Sequence, residues 1–412
     1  MKDQFLLIVV MLCCVTPLKS QDWPGWRGAD RTDVSHEKGL LKEWPEGGPK
    51  QLWTSKKCGV GYSGFAVVKD SLYTMGGYAE STKLICLNTE TGDIRWRKDM
   101  SEDVLENGWG DGPRGTPTVD GDFVYAMSGA GVLVCAKTSD GEIVWSASMR
   151  DFGGRTPNWG YTESVLVDGD QVICTPGGRD GAILALNKTN GEKIWQTKDF
   201  TDAADYSSLI VAVHNQQRQY IQLTQKSIVG VAANNGSVLW KSSWPGRTAV
   251  VPTPIFKDGM VYVSSGYGVG CKLVELGGKE PKEIYENKTM KNQHGGVILI
   301  ENHLYGYSDN VGWLCQNFQT GDTVWSDRRS LGKGAVACAD GMLYCISEDR
   351  GEVVLIEAST KGWSEKGRFT LDPESEYRPS RGKRWTHPTI ANGKLYLRDQ
   401  ELVFCYDVKA NK

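Results

Sequence analysis

The sequence predicts an all-β chain folded as an eight-bladed β-propeller, closed by its N-terminal strand pairing with the last blade. Three observations carry this. A tryptophan recurs at a fixed distance behind a tight-turn dipeptide, strand-opening runs recur eight times at a period of about 45 residues, and the final unit lacks one strand that the start of the chain supplies.

Taking the chain in order, Lys2 precedes an apolar run over residues 5–15, followed by Pro17 and a small Ser20. This is the pattern of a signal peptide, residues 1–20, cleaved before Gln21. The run is shorter than the roughly 20 apolar residues a spanning helix needs, so the expectation is release to the periplasm or outside the cell, without a membrane span. Losing Lys2, Lys19 and Asp3 takes the formal charge from −3 to −4. No Lys/Arg cluster stands out, which excludes a protein that tracks a nucleic-acid backbone. Residues 21–49, with Trp23 and Trp44, are expected to wrap the rim of the ring and cover apolar surface, and residues 50–412 to form the propeller.

Thr91-Gly92 precedes Trp96, Asp140-Gly141 precedes Trp145, Asn190-Gly191 precedes Trp195, Asn235-Gly236 precedes Trp240 and Thr320-Gly321 precedes Trp325. Successive gaps of 49, 50 and 45 residues separate the first four of these tryptophans. Ten residues before each stands a small residue, Cys86, Cys135, Ala185, Gly230 and Cys315, expected to leave room for an indole from a neighbouring unit. Tyr285 and Phe369 take the tryptophan place in two degenerate copies. The openings begin near Ala66, Pro117, Val165, Leu209, Pro254, Val297, Val336 and Pro388, each running through a turn of the Asp-Gly kind into a second strand. The eighth unit ends after Cys405 without its tryptophan. A strand around Trp53 completes it and removes an exposed edge.

The motif small-x-Asn-x-x-Thr-Gly-x-x-x-Trp at residues 86–96, repeated with variation along residues 52–407, resembles the tryptophan-docking repeat of pyrroloquinoline-quinone (PQQ) propellers. Asp22-Trp-Pro-Gly-Trp-Arg-Gly28 is similar to the start of a secreted bacterial subfamily of them. This resemblance implies docking roles for Trp53, Trp96, Trp145, Trp195, Trp240 and Trp325. It spans both BamB-like scaffolds without catalysis and quinoprotein alcohol dehydrogenases. The latter carry PQQ with calcium, an adjacent cysteine pair and often a haem motif. Here the adjacent pair, Cys13-Cys14, lies in the signal peptide and no Cys-x-x-Cys-His occurs. No cofactor is therefore expected, with a PQQ-dependent alcohol or polyvinyl-alcohol dehydrogenase as the alternative.

Nine cysteines remain in the mature chain, and four of them, Cys86, Cys135, Cys315 and Cys405, hold the same slot in different blades, as buried apolar residues. If Ala339 pairs with Met342, Cys338 stands diagonal to Cys345, too far for a disulfide unless the turn is bulged. The five histidines show no metal-ligand spacing, so neither a metal site nor a catalytic residue is expected.

The connections between blades are long, at residues 97–115, 146–162, 196–206, 241–251, 286–295 and 370–385, and in a propeller they emerge on one face. Just before the innermost strands they carry Tyr62, Arg114, Trp159, Tyr161, Glu163, Tyr206, His294, Lys333, Trp385 and His387. Asp111, Glu163 and Asp205 are the acids expected there. The set predicts a ligand mouth of aromatic platforms and convergent donors, for a saccharide or for an envelope or extracellular protein, on a monomer. The competing reading is that these side chains plug the channel and satisfy one another.

Overall fold

The computed structural model describes residues 22–410, so the signal peptide expected at residues 1–20 lies outside the described residues. Eight antiparallel sheets follow one another around a ring, each contributing four strands to a blade. The alternating runs form the inner strands, and the tight turns join them because Asp, Asn and Gly accept positive φ: Asp340 and Gly341 take φ 49° and 79°, Asn392 and Gly393 57° and 75°. Blade 8 is built from Thr389–Ala391, Lys394–Asp399, Leu402–Asp407 and, from the other end of the chain, Gln51–Ser55, with Trp53 opposite Cys405.

The tryptophans join neighbouring blades. A Cβ placed on Gly92 would meet the Trp53 ring at 2.5 Å, one on Gly141 the Trp96 ring at 2.5 Å, and one on Gly236 the Trp195 ring at 2.4 Å. Only glycine lets the indole lie flat on the turn of the following blade. The indole N–H groups of Trp53, Trp96, Trp145 and Trp325 then donate to carbonyls of that blade, those of Thr89, Thr138, Lys188 and Ser359, at 2.8–3.1 Å. Tyr285 and Phe369 hold the same place, Phe369 against Gly48, which replaces the turn glycine that the split last blade lacks. An indole buried in this way is worth about 3–5 kcal/mol against truncation to alanine.

The small residue ten positions earlier serves its own blade. Cys86 pairs with Trp96, Cys135 with Trp145, Ala185 with Trp195, Gly230 with Trp240 and Cys315 with Trp325. The indole crosses over its own strand partner to reach the next blade, so the slot is small for the home tryptophan and not for a visiting one.

Each outermost strand carries a register shift, and in seven blades it lies beside the aromatic position. The extra residue there is Leu52, Val144, Ile194, Ile284 or Val324 in five of them, and it turns outward, which accounts for most of the large apolar side chains that stay exposed. Bulges of this kind twist a free edge away from pairing with another chain. Cys338 faces Leu343 and Cys345 faces Val336, and all nine cysteines among the described residues are free and buried.

Of the segment expected to wrap the rim, residues 40–48 pack on blades 7 and 8, where Trp44 meets Tyr344 and Phe369 and Leu41 N donates to Val408 O. Residues 22–37 instead run through the central channel. Trp23 pairs with Val67 of blade 1, Pro24 O accepts from Val119 of blade 2, and Arg31 donates to the carbonyls of Ser164 and Val165 at 2.6 and 3.1 Å beside blade 3. Arg27 donates to Val297 O of blade 6 at 2.6 Å, and Val34–Ser35 lies parallel on Gly334–Ala339 of blade 7. The innermost strands point unpaired backbone groups at the axis, and a polar segment that satisfies them is more stable inside than spread over the rim.

Candidate functional site

The loops that lead into the innermost strands converge on one mouth of the channel and enclose a cavity of about 330 Å³. Seven of the ten sequence-predicted residues line it: Tyr62, Arg114, Trp159, Tyr206, His294, Trp385 and His387. Their rings form a chain of tilted and edge contacts. Tyr62 lies 4.8 Å from Trp385, Trp385 lies 4.7 Å from His294, and Trp159 meets Tyr206 edge-on at 5.6 Å.

Arg114 is less free than a ligand donor. Its Nε donates to Trp159 O at 2.8 Å, its Nη2 to Gly110 O at 2.7 Å, and its guanidinium stands 4.9 Å over the Tyr62 ring. Tyr62 in turn donates to Trp109 O at 2.6 Å. Two side chains thus tie the loops bearing Trp109 and Trp159 to the wall.

The other three predicted residues lie outside the cavity. Tyr161 is buried between blades and donates to Pro176 O. Glu163 is buried behind the wall and accepts from Thr175 N at 2.6 Å and Thr175 Oγ1 at 3.0 Å. Lys333 is held by Asp309 and Gln293. Gln293, beside His294 in the same loop, also lines the cavity, and among the lining residues the sequence reading missed are Trp26, Trp109, Tyr267, Glu348 and Lys383. Trp109 sits in a long loop already singled out, and Tyr267 in the middle hairpin loop of its blade, which emerges on the same face. Trp26 gave no such signal. It comes from the segment in the channel, donates to Thr253 Oγ1 at 2.9 Å, and lies 4.7 Å from the His387 ring. A second cavity of about 210 Å³ adjoins the first through Tyr206 and Thr248, with Asp202, Asp205 and Lys226 on its walls.

Burial decides the charge states. It pushes the His294 imidazole down to about 3, so this ring is neutral, and it raises the Glu348 carboxyl, whose partner is the Trp385 indole N–H at 3.2 Å. It raises Glu163 and Asp205 each to about 7, against the pull of the hydrogen bonds they accept. A raised carboxyl makes the folded state bind a proton that the unfolded chain releases, so the stability it lends is lost as pH rises from about 4.5 to about 7. Glu163→Gln removes this term. In urea unfolding followed across pH 5–8, the variant is expected to lose about 2–3 kcal/mol less than the parent over that window. His294 contributes the opposite slope below about pH 6.5 in both proteins and cancels in the comparison.

The PQQ-and-calcium site that the quinoprotein resemblance implies finds no matching donors. Glu348 is the one carboxylate on the cavity wall among the described residues, no three His, Cys, Asp or Glu side chains cluster as metal ligands, and no two cysteines pair. The residues do not fit the group. What the arrangement offers is apolar ring faces, interspersed hydroxyl and amide groups, and few charges, the composition of a binding pocket.

A family model described as outer membrane protein assembly factor BamB matches residues 45–108 and 105–327. The chain is 28% identical over 134 residues to the tetrathionate hydrolase of Acidianus ambivalens, covering 29% of this chain and 23% of that protein. It is 29% identical over 86 residues to outer membrane protein assembly factor BamB of Salmonella typhimurium, covering 20% of this chain and 21% of that protein. It thus spans less than a quarter of the length of these curated relatives. Its fold is similar to that of BamB from Moraxella catarrhalis, with a TM-score of 0.63 and 14% identity, over 87% of this chain and 99% of that one. It is also similar to quinohemoprotein alcohol dehydrogenase from Comamonas testosteroni, with a TM-score of 0.61 and 13% identity, over 95% and 81%. At these identities the likeness shows the fold alone.

Proposed function

The chain belongs to the family of PQQ-repeat propellers whose model is described as outer membrane protein assembly factor BamB, and from that premise we propose that it is an exported binding propeller without a resident cofactor, which holds a saccharide at its long-loop mouth. The observation that carries this reading is the aromatic cavity, floored by Trp26 and walled by Tyr62, Trp109, Trp159, Tyr206 and Trp385. Ring faces alternating with Thr, Ser and Gln side chains suit a molecule with apolar faces and hydroxyl edges. A protein partner that adds a strand fits less well, because such addition needs an open sheet edge and residues 22–37 already lie on the innermost strands of blades 1 and 7. Export rests on the N-terminal pattern, and no helix of the described residues is long and apolar enough to cross a membrane.

Trp109 is 42% exposed, and it and Trp159 stand on loops, away from the blade cores. Changing either to alanine is expected to weaken oligosaccharide binding about tenfold, with a stability change below about 1 kcal/mol. Titration followed by indole fluorescence, together with thermal unfolding, checks both. A large loss of stability would mean that these rings only plug the mouth. Alcohol oxidation after reconstitution with PQQ and calcium would sink the non-catalytic reading.

A further inference from the structure

The cavity has a charge character as well as an aromatic one. Arg114 has no carboxylate within ion-pair distance among the described residues, and its Nη1 has no hydrogen-bond partner. Its two occupied nitrogens face neutral carbonyls. Burial presses on this group too, but a guanidinium cannot shed its proton in a protein. On the floor, His387 faces Asp33 Oδ2 at 3.0 Å with Nδ1 and His294 O at 2.7 Å with Nε2. Arg27 shares the same Asp33 oxygen at 2.9 Å, so this carboxylate is already engaged beneath the floor. Lys383 and Lys333 are each offset by an aspartate, Asp349 and Asp309. Among the described residues Glu348 is the one carboxylate on the wall, and burial disfavours its charged form; Asp111 acts on Arg114 from outside the cavity. Arg114 therefore keeps on the wall a positive charge that no carboxylate pairs with directly, in a setting of rings where water screens poorly.

We infer that the mouth selects an acidic saccharide, a sugar chain bearing carboxylate or sulfate groups, with its anion drawn to the Arg114 side of the cavity and its rings against the tryptophans. The inference rests on the saccharide reading above. Its consequence is that acidity of the sugar, not chain length alone, sets affinity, and that Arg114 determines specificity.

The test is calorimetric titration of the mature full chain with tetragalacturonate, a chondroitin sulfate tetrasaccharide, neutral cellotetraose and a hexaglutamate peptide. At least one acidic sugar is expected to bind about tenfold or more tightly than cellotetraose. Arg114→Gln is expected to bring the two within about twofold, and Arg114→Lys, which keeps the charge, to retain most of the preference. Equal binding of neutral and acidic sugars overturns the selectivity and leaves the saccharide reading standing. Hexaglutamate binding as tightly as the acidic sugars overturns the sugar assignment in favour of an acidic protein segment. If no sugar binds at millimolar concentration, both readings fall together. Should Arg114→Gln fail to fold, the lysine variant and the ligand series still decide the matter.

Discussion

Replacing Arg398 with methionine is expected to cost about 3–5 kcal/mol of stability, with the urea midpoint falling accordingly. Arg398 sits on Lys394–Asp399 of blade 8 and is 1% exposed. Its Nε donates to Gln400 O at 2.7 Å. Its Nη1 donates to Ser63 O, Thr74 Oγ1 and Met75 O at 3.0, 2.7 and 2.8 Å, and its Nη2 to Cys58 O and Gly59 O at 3.3 and 3.0 Å. Five of these six acceptors belong to blade 1 or its entry loop, so one side chain joins the two blades that meet where the ring closes. Burial pushes the guanidinium down to about 10, which still leaves it charged at neutral pH. Methionine keeps much of the volume and removes every donor, stranding buried carbonyls whose desolvation was offset only by this cation. Hydrogen exchange should rise first in Ser71–Gly77 and Lys394–Asp399. A loss below about 1 kcal/mol would mean that water replaces the guanidinium and that Gln51–Ser55 closes the ring unaided.

Asp33→Asn is expected to cost about 3 kcal/mol and to weaken ligand binding as well. Asp33 is 1% exposed and, among the described residues, is the only carboxylate within ion-pair reach of Arg27 and His387. Removing its charge leaves a guanidinium buried in the channel without compensation. Asparagine is the informative replacement because position 33 has φ 59°, a left-handed backbone that asparagine tolerates and alanine does not. The lost stability is then electrostatic. Trp26 precedes Arg27 and floors the cavity, so loosening this pair displaces the floor. In a double-mutant cycle, adding Arg27→Leu to Asp33→Asn should recover about 1–3 kcal/mol, the coupling expected of residues in contact. Additive losses would mean that the pair is incidental to how the segment is held.

Most of the mouth could be read from the loops, but what its residues do there could not. Tyr62, Trp159, Tyr206, His294, Trp385 and His387 come together because they hold the same station in successive blades, and station is visible in a repeat. Tyr161 and Glu163 share a short stretch with Trp159, yet two and four residues on, the chain has already turned into the blade interior and buries them. Arg114 stands at the mouth, but two of its nitrogens are taken by the carbonyls of Gly110 and Trp159, so its charge rather than a free donor fork is what the wall presents.

By itself the sequence determined the number of blades, the tryptophan docking, the closing strand around Trp53 and the unpaired state of Cys338 and Cys345. All of these are local or follow from a repeat, where one strand register implies the rest. Only the tertiary structure decided where residues 22–37 go. They carry no period, and they are held by single contacts to strands far along the chain, Arg31 to Val165 across 134 residues and Arg27 to Val297 across 270. The edges they cover exist only once the ring has closed, so no local signal in the segment marks it as the filling of the channel and the floor of the site.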